Sequence, residues 1–191
     1  MSLAIALGTV VDALQSIGVR YQVGGSVASS AHGMPRSTID VDLVADLRED
    51  HVDPLCRSLR ADFYAEPELV RMAIAAHTCV NFLHLESGYK VDVFVVGPSD
   101  YDRAAFARTV AKRLMGDPSG RVFLMTTAED TVLRKLLWYR SGGEISDRQW
   151  SDILGVMRVQ GDGLDREYLA TWAPRLRIDD LLARAQREAE R

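Results

Sequence analysis

The chain has 191 residues, of which 47% are hydrophobic and 26% are charged, so it can bury an ordinary globular core. This composition excludes a disordered chain, a collagen-like chain and a membrane-embedded bundle. The 23 basic and 27 acidic residues give a net charge of −4, which excludes a nucleic-acid binder held by bulk positive charge. Any contact with nucleic acid would have to be local.

The N-terminal segment predicts an amphipathic helix rather than a leader or a membrane span. Its apolar residues recur at helical spacing up to Gly18, it lacks a basic first region, and Asp12 interrupts it early. We therefore expect a cytoplasmic protein without a membrane partner.

Cys56 and Cys79 belong to no C-x-x-C pair, and we expect both to be small buried residues in a reducing compartment.

The rest of the chain alternates between strand and helix patterns and then becomes helical. Strands are predicted at 19–23, 39–44, 79–85 and 90–96, and helices at 27–32, 51–60, 68–76 and 99–108. A hairpin is predicted over 109–125 around a turn at 116–120, and later helices begin near Thr127, Ser146, Asp165 and Asp179. We predict an α+β fold: a mixed sheet flanked by helices over 1–126, with a helical C-terminal subdomain over 127–191 packed on it.

Acidic residues interrupt two strands that are otherwise apolar. Asp40 and Asp42 are two residues apart in a strand, so their carboxylates project from the same face. Two adjacent carboxylates among core residues such as Ile39 repel each other and resist desolvation, and a divalent cation such as Mg²⁺ relieves both. Asp92 interrupts the strand at 90–96. If the two strands are neighbours, three carboxylates converge as two-metal phosphoryl transfer requires.

A turn between strand and helix precedes these aspartates. Gly24, Gly25 and Ser26 would let a phosphate approach the backbone at the N-terminus of a helix, and Arg36 lies in the loop just before Asp40. A Gly-Gly turn alone is weak evidence, and an isolated strand aspartate is often an edge or cap residue. The combined order favours an active site. The P-loop and dinucleotide-binding signatures are absent from the sequence.

These residues together resemble the nucleotidyltransferase superfamily related to DNA polymerase beta. The stretch from Gly24 to Leu43 is most similar to the branch of AbiEii-type toxins and their relatives, which shows Gly-Gly followed by Arg-x-Thr-x-Asp-Ile-Asp. Two later segments, 129–136 and 148–153, resemble the lysine-bearing helix and the Arg-x-x-x-Asp helix start of that branch. The resemblance spans about residues 18–155.

The resemblance implies a nucleotidyltransferase fold and transfer of a nucleoside monophosphate from an NTP to an acceptor hydroxyl, with Mg²⁺ or Mn²⁺ as cofactor. It implies two sets of site residues. The catalytic and metal-binding residues would be Asp40, Asp42 and Asp92, and the nucleotide-binding residues would be Gly24, Gly25, Ser26, Arg36, Thr38 and Lys135.

Several alternatives stay open at the level of sequence. Lys135 is either a triphosphate contact or a solvated surface lysine, and Arg148 and Asp152 could simply form an ion pair along one helix. The basic stretch at 102–121 is either a solvated face or a track for RNA. The acceptor could be tRNA, a protein side chain or a small molecule. The protein could also be a non-catalytic binding module, or act beside an antitoxin partner.

Overall fold

A computed structural model describes residues 3–114 and 120–190 of the chain. The helices that it describes are α1 (Leu3–Ser16), α2 (Gly25–His32), α3 (Val52–Leu59), α4 (Pro67–Ala76), α5 (Asp100–Ala107), α6 (Ala128–Ser141), α7 (Asp147–Gln160), α8 (Arg166–Arg175) and α9 (Asp179–Ala189). The strands are β1 (Tyr21–Val23), β2 (Asp40–Ala45), β3 (Phe63–Tyr64), β4 (Cys79–His84), β5 (Lys90–Val95), β6 (Thr109–Arg113) and β7 (Val122–Thr126).

The strands form one mixed sheet in the order β3-β4-β5-β2-β1-β7-β6. β2 runs parallel to β5, and β1 runs parallel to β7, whereas the other neighbours are antiparallel. The strands predicted at 19–23, 39–44 and 90–96 are therefore neighbours, as expected. This order places the glycine turn after β1 beside the first residues of β2 and β5.

One face of the sheet is covered by α1, α3 and α4. Alternate strand residues point into this core, among them Leu43, Phe82, Val91 and Val93, all of which are fully buried. Each of these side chains leaves its strand neighbour on the opposite face, because consecutive strand residues alternate. The buried apolar residues of each strand thus determine which face of the sheet packs in the core, and polar residues can lie on the opposite face.

The other face of the sheet meets the helical part of the chain. Helix α2 packs against α6 and α7, and a second hydrophobic cluster joins α5 to α9 through residues such as Leu136 and Ile153. Tyr101 and Ala105 of α5 belong to this second cluster although they precede residue 127. The division of the chain at residue 126 stays a prediction.

Local sequence signals account for most of the helix starts. The hydroxyls of Ser99, Thr127 and Ser146 each accept a hydrogen bond from the backbone N–H three residues later, as their capping sequences predict. The predicted turn at 116–120 falls almost entirely outside the described residues. Among the described helices, none is both long enough and apolar enough to cross a membrane.

Two local expectations are wrong. Ile39 was expected in the core, but it precedes β2 and its side chain is 72% exposed. Cys79 was expected to be buried, but it is only partly buried on the polar face of β4, while Cys56 is buried as predicted.

Candidate functional site

The predicted acidic residues lie on the face of the sheet opposite the α1–α3–α4 core. Asp40 and Asp42 are alternate residues of β2, and the parallel register pairs Asp42 with Asp92 and Asp40 with Lys90. Asp42 and Asp92 therefore sit side by side on adjacent strands and face the same way. Asp92 is 9% exposed, while Asp40 and Asp42 are partly exposed.

The Asp42 carboxylate lies against the glycine turn. The backbone N–H of Ser26 donates a hydrogen bond to it. Burial, and then the charge of Asp92, raise the pKa of the Asp42 carboxyl, although Lys135 and the Ser26 hydrogen bond oppose the shift. Two carboxylates on neighbouring strands thus repel each other here. A cation close to Asp42 would relieve that repulsion.

The two glycines of the turn differ in how strictly they are required. Gly25 has a φ of +53°, and a Cβ at this position would overlap the Asp42 carboxylate. Gly24 has a negative φ, its N–H donates to the Asp42 carbonyl oxygen over 2.8 Å, and a Cβ there would come no closer than 3.9 Å to its neighbours. Gly25 is therefore the glycine that lets Asp42 approach the start of α2.

Asp92 is held by two neighbours on the sheet. Asn81 Nδ2 of β4 donates to Asp92 Oδ1 over 2.5 Å, and Lys90 Nζ lies 2.9 Å from Asp92 Oδ2. The hydrogen bond that Lys90 donates to Asp92 raises the pKa of Lys90. Both carboxylate oxygens of Asp92 are thus engaged by exchangeable side chains at the open end of the site.

The predicted phosphate-binding arginine reaches the glycine turn. Arg36 Nη2 donates to the hydroxyl of Ser26. The same guanidinium makes a two-pronged hydrogen bond to Asp152, with both N–O distances at 2.9 Å. Planar pairing of this kind fixes the guanidinium more firmly than a point charge could. Arg36 is consequently anchored across the site, from the start of α2 to α7.

Lys135 is buried, so the reading of it as a solvated surface lysine is wrong. It is 5% exposed, and its Nζ donates to Asp152 Oδ2 over 2.8 Å and to Gln149 Oε1 over 2.9 Å. Burial lowers the pKa of Lys135, an effect that the Asp152 hydrogen bond partly offsets. Asp42 also lies within electrostatic reach of the ammonium. Lys135 therefore places a positive charge beside the carboxylates.

Asp152 connects the two cations of the site. Its burial alone would raise its pKa, but hydrogen bonds from Arg36 and Lys135 outweigh this and lower the pKa. The suggested ion pair between Arg148 and Asp152 is wrong, because Arg148 is exposed and Asp152 faces Arg36 and Lys135. The i, i+4 spacing gave no sign that Asp152 faces inward.

Thr38 acts locally in the described structure. Its hydroxyl donates to the Asp40 carbonyl oxygen over 3.1 Å and accepts from the Asp40 N–H over 3.4 Å. These bonds fix the turn that leads into β2 and therefore the direction of the Asp40 side chain. A direct contact of Thr38 with nucleotide stays a prediction.

The donor chemistry of the site fits Mg²⁺ or Mn²⁺. Asp40, Asp42 and Asp92 offer hard carboxylate oxygens on one face, and burial, followed by the charge of Asp92, raises the pKa of the Asp42 carboxyl. Within residues 3–114 and 120–190, however, no three acidic, histidine or cysteine side chains already converge into a metal cage. To hold the cation, Asp92 would have to give up its ion pair with Lys90.

Sequence reasoning missed Asn81 and Gln149, which contact Asp92 and Lys135. Asn81 could have been found once β4 was placed beside β5, because the register pairs Asn81 with Asp92. The sequence indicated Gln149 only as part of a helix-capping pattern, but its side chain accepts a hydrogen bond from Lys135. The resemblance had brought Asp152 to notice, but its partners depend on how α7 packs.

Comparisons with known proteins place this arrangement in a known fold. No protein-family model matches the sequence, and a search of curated proteins gives no match. Two solved structures of the antibiotic-resistance factor ANT(2'')-Ia are similar at 11% and 12% identity, each with a TM-score of 0.53. They cover 93% and 91% of this chain and 95% of theirs. One of them is a complex with adenylyl-2''-tobramycin.

A nucleotidyltransferase-like protein from Paracoccidioides brasiliensis is similar at 21% identity with a TM-score of 0.50, over 79% of this chain and 72% of its own. At these identities the similarity concerns the fold. It confirms the fold class predicted from the sequence, whereas the AbiEii-type branch stays a prediction. The described chain, with its mixed sheet and its glycine turn beside β2, has the nucleotidyltransferase fold.

Proposed function

We propose that the protein is a divalent-cation-dependent nucleotidyltransferase that moves a nucleoside monophosphate from an NTP to an acceptor hydroxyl and releases pyrophosphate. One observation carries the proposal: one face of the sheet combines a glycine turn at a helix start, two anchored cations and carboxylates on adjacent strands. The cations are Arg36 and Lys135, and the adjacent carboxylates are Asp42 and Asp92. Each component alone is common, whereas their combination matches the charges of an NTP with its metal ions.

The phosphates would bind at the start of α2. The Ser26 N–H and hydroxyl, now taken by Asp42 and Arg36, are the donors that a phosphate oxygen would use. Arg36 and Lys135 would both add positive charge, and Asp152 keeps them close together because each donates to its Oδ2 atom. Asp152 already orients Arg36 and Lys135, whereas the Ser26 N–H would become available only when Asp42 releases it.

Asp40, Asp42 and Asp92 would hold the cation. When bound, Mg²⁺ or Mn²⁺ would stabilise the negative charge of the phosphates and acidify the acceptor hydroxyl. Asp92 comes from a different strand than the other two aspartates and would accept the hydroxyl proton. The acceptor oxygen then forms a bond to the α-phosphorus, and the bond to the bridging oxygen of the departing pyrophosphate breaks.

Three described arginines of the basic stretch form ion pairs, which does not favour an RNA track. Arg103 pairs with Asp100, and Arg121 Nη2 lies 2.6 Å from Asp12 Oδ1. Arg108 lies 3.1 Å from Glu129 and also faces Asp130. The acceptor therefore stays open among tRNA, a protein side chain and a small molecule. An antitoxin partner is a further prediction that rests on the resemblance alone.

The proposal is tested by incubating the protein with each labelled NTP, Mg²⁺ or Mn²⁺, and a total cell extract. We expect label to be transferred to a macromolecular or small-molecule fraction, and Asp92→Asn to abolish the transfer. Asp147→Asn, which changes an exposed carboxylate at the start of α7, is the matched control and should retain activity.

A thermal-shift measurement separates an enzyme from a binding module. An NTP with Mg²⁺ should raise the melting temperature of the wild type, because a ligand that binds only the native state stabilises it. Asp42→Asn should remove the metal-dependent part of the shift. A shift without label transfer to any fraction would favour a non-catalytic module, and the absence of any shift would refute nucleotide binding at this site.

A further inference from the structure

Trp138 is an exposed aromatic residue beside the proposed site. Its side chain is 58% exposed, whereas Trp150, on the neighbouring helix, is 8% exposed. Burying so large an apolar surface would stabilise the folded protein, and the exposed indole does not contribute this free energy. A residue in this position on α6 could be polar without loss to either hydrophobic core, because Trp138 belongs to neither.

The position of Trp138 connects the phosphate-binding cations to β5. Trp138 follows Lys135 by three residues on α6, so both side chains project from the same side of the helix, about 4.5 Å apart along its axis. Its indole lies edge-to-face with Phe94, with ring centroids 6.1 Å apart and an interplanar angle of 71°. Phe94 is two residues beyond Asp92 and shares its strand face.

We propose that Phe94 and Trp138 form the platform on which the nucleobase of the NTP stacks. The inference rests on the proposed function, and it adds the part of the substrate that the phosphate site leaves unassigned. Phosphates held by Lys135 would direct the attached nucleoside along α6 towards Trp138. The contact with Phe94 orients the indole, and more than half of the side-chain surface stays free for a ligand.

The chemistry of the platform suits an uncharged flat ring. Phe94 is paired across the sheet with Cys79, whose thiol has its pKa raised to about 12 by burial and by Asp92 and Asp42, so it stays neutral. Arg134, on the same helix as Trp138, is paired with Asp102. Neither Cys79 nor Arg134 therefore presents an uncompensated charge to the platform, and a base needs only a π-face.

Stacking of this kind tolerates every base, because each base has a π-face. We therefore expect all four NTPs to bind, with purines somewhat tighter than pyrimidines because their rings are larger. Discrimination among bases would then be weak compared with recognition of the triphosphate. An enzyme selective for one base by more than about a hundredfold would not fit a stacking platform alone.

The test compares ATP with inorganic tripolyphosphate, each with Mg²⁺, by tryptophan emission and thermal shift. Tripolyphosphate has the charges but no base, so it should raise the melting temperature without changing the emission of Trp138. ATP should do both. Trp138→Leu should remove the emission change and weaken ATP binding about tenfold, while tripolyphosphate affinity stays within twofold.

Three further variants guard against loss of fold. Trp138→Tyr keeps an aromatic face and should retain most of the ATP affinity, and Phe94→Leu should weaken ATP selectively. Tyr64→Leu, which removes an aromatic side chain that is 50% exposed on the outer strand β3, should change nothing.

The proposal is overturned if Trp138→Leu leaves ATP affinity within twofold of wild type. It is equally overturned if that variant weakens ATP and tripolyphosphate alike. If the wild type binds tripolyphosphate as tightly as ATP, the platform is wrong and the phosphate site stands. If the wild type binds neither, the proposed function itself fails.

Discussion

The two faces of the sheet carry opposite chemistry on the same strands. In β5, Val91 and Val93 are fully buried against α1 and α4, while Asp92 between them faces the helical part of the chain. The core face is apolar and closed. The other face carries the carboxylates of Asp40, Asp42 and Asp92. Strand alternation therefore lets one short segment hold the fold together and also present charged groups to a ligand.

The difference between the faces also explains where charge is tolerated. On the core face, the side chains around Val91 and Val93 are apolar, so an aspartate at either position would lie uncompensated. On the other face Asp92 has Asn81 and Lys90, and Asp42 has the Ser26 N–H and Lys135. The partners are polar groups that a ligand can replace. This is the property that separates a site from a core.

The largest expected effect comes from changing neighbouring residues on opposite faces of β5. Asp92→Ala should fold, bind NTP with Mg²⁺ nearly as well as wild type, and lose transfer activity by a factor on the order of 10³. Val91→Ala should lower the free energy of unfolding by about 2 kcal/mol and leave the activity per folded molecule unchanged. Transfer rates of both variants measure the effect on activity, and urea unfolding of both measures the effect on stability. Activity of Asp92→Ala within about threefold of wild type would show that Asp92 is only structural.

A second large effect is expected at Asp152, on stability rather than on chemistry. Asp152→Ala leaves Lys135 buried without its main partner, so unfolding should become easier by about 3–5 kcal/mol. Lys135→Met combined with Asp152→Leu removes both charges and should recover most of that loss. Urea denaturation measures this, with Asp147→Ala as the control. If Asp152→Ala costs no more than the control, the network contributes nothing to folding.

Alanine substitutions at the two glycines of the turn should differ in their effect on stability and on phosphate binding. Gly25→Ala puts a side chain where the Asp42 carboxylate lies and where φ is positive, so it should cost about 1–3 kcal/mol and weaken tripolyphosphate binding. Gly24→Ala has space for its methyl group and should cost less than about 1 kcal/mol. Thermal unfolding and binding of both variants test this. Equal effects at the two positions would contradict the assignment of Gly25 as the strict glycine.

The sequence allowed the prediction of the parts of the site that depend on local order. The alternation around Asp42, the glycine turn and the capping residues were all predicted, because each depends on residues close together in the chain. The two-residue strand Phe63–Tyr64 was missed, because so short a run has no detectable period. Helix α2 begins at Gly25, two residues before its predicted start, since a glycine with positive φ can open the turn.

The rest depends on packing between distant segments. Arg36 and Asp152 are separated by 116 residues and meet only because α2 packs on α7. Whether Lys135 was buried could not be decided from its helix, because its apolar neighbours Leu133 and Leu136 are compatible with either side. Trp138 carried no signal at all, since its exposure follows from where α6 crosses the sheet.

The smallest expected effect is the pH dependence of stability that Asp42 contributes without a divalent cation. Burial and Asp92 raise the pKa of the Asp42 carboxyl in the folded state above its ordinary value of 3.8. At pH values between the pKa of the unfolded chain and that of the folded protein, the folded protein binds more protons than the unfolded chain. The free energy of unfolding therefore falls as the pH rises through the folded pKa. Asp42→Asn removes this penalty.

In the presence of EDTA, the Asp42→Asn variant should therefore melt higher than wild type at pH 7, by on the order of 2 °C, and the difference should shrink towards zero near pH 4. Asp147→Asn should show no such pH-dependent gain. With millimolar Mg²⁺ and ATP the order should reverse, because the ligand stabilises the wild type and not the variant. A variant that melts below wild type in EDTA at pH 7 would show that Asp42 helps to hold the fold together, and the contrast between the two faces of the sheet would then be weaker than its residues suggest.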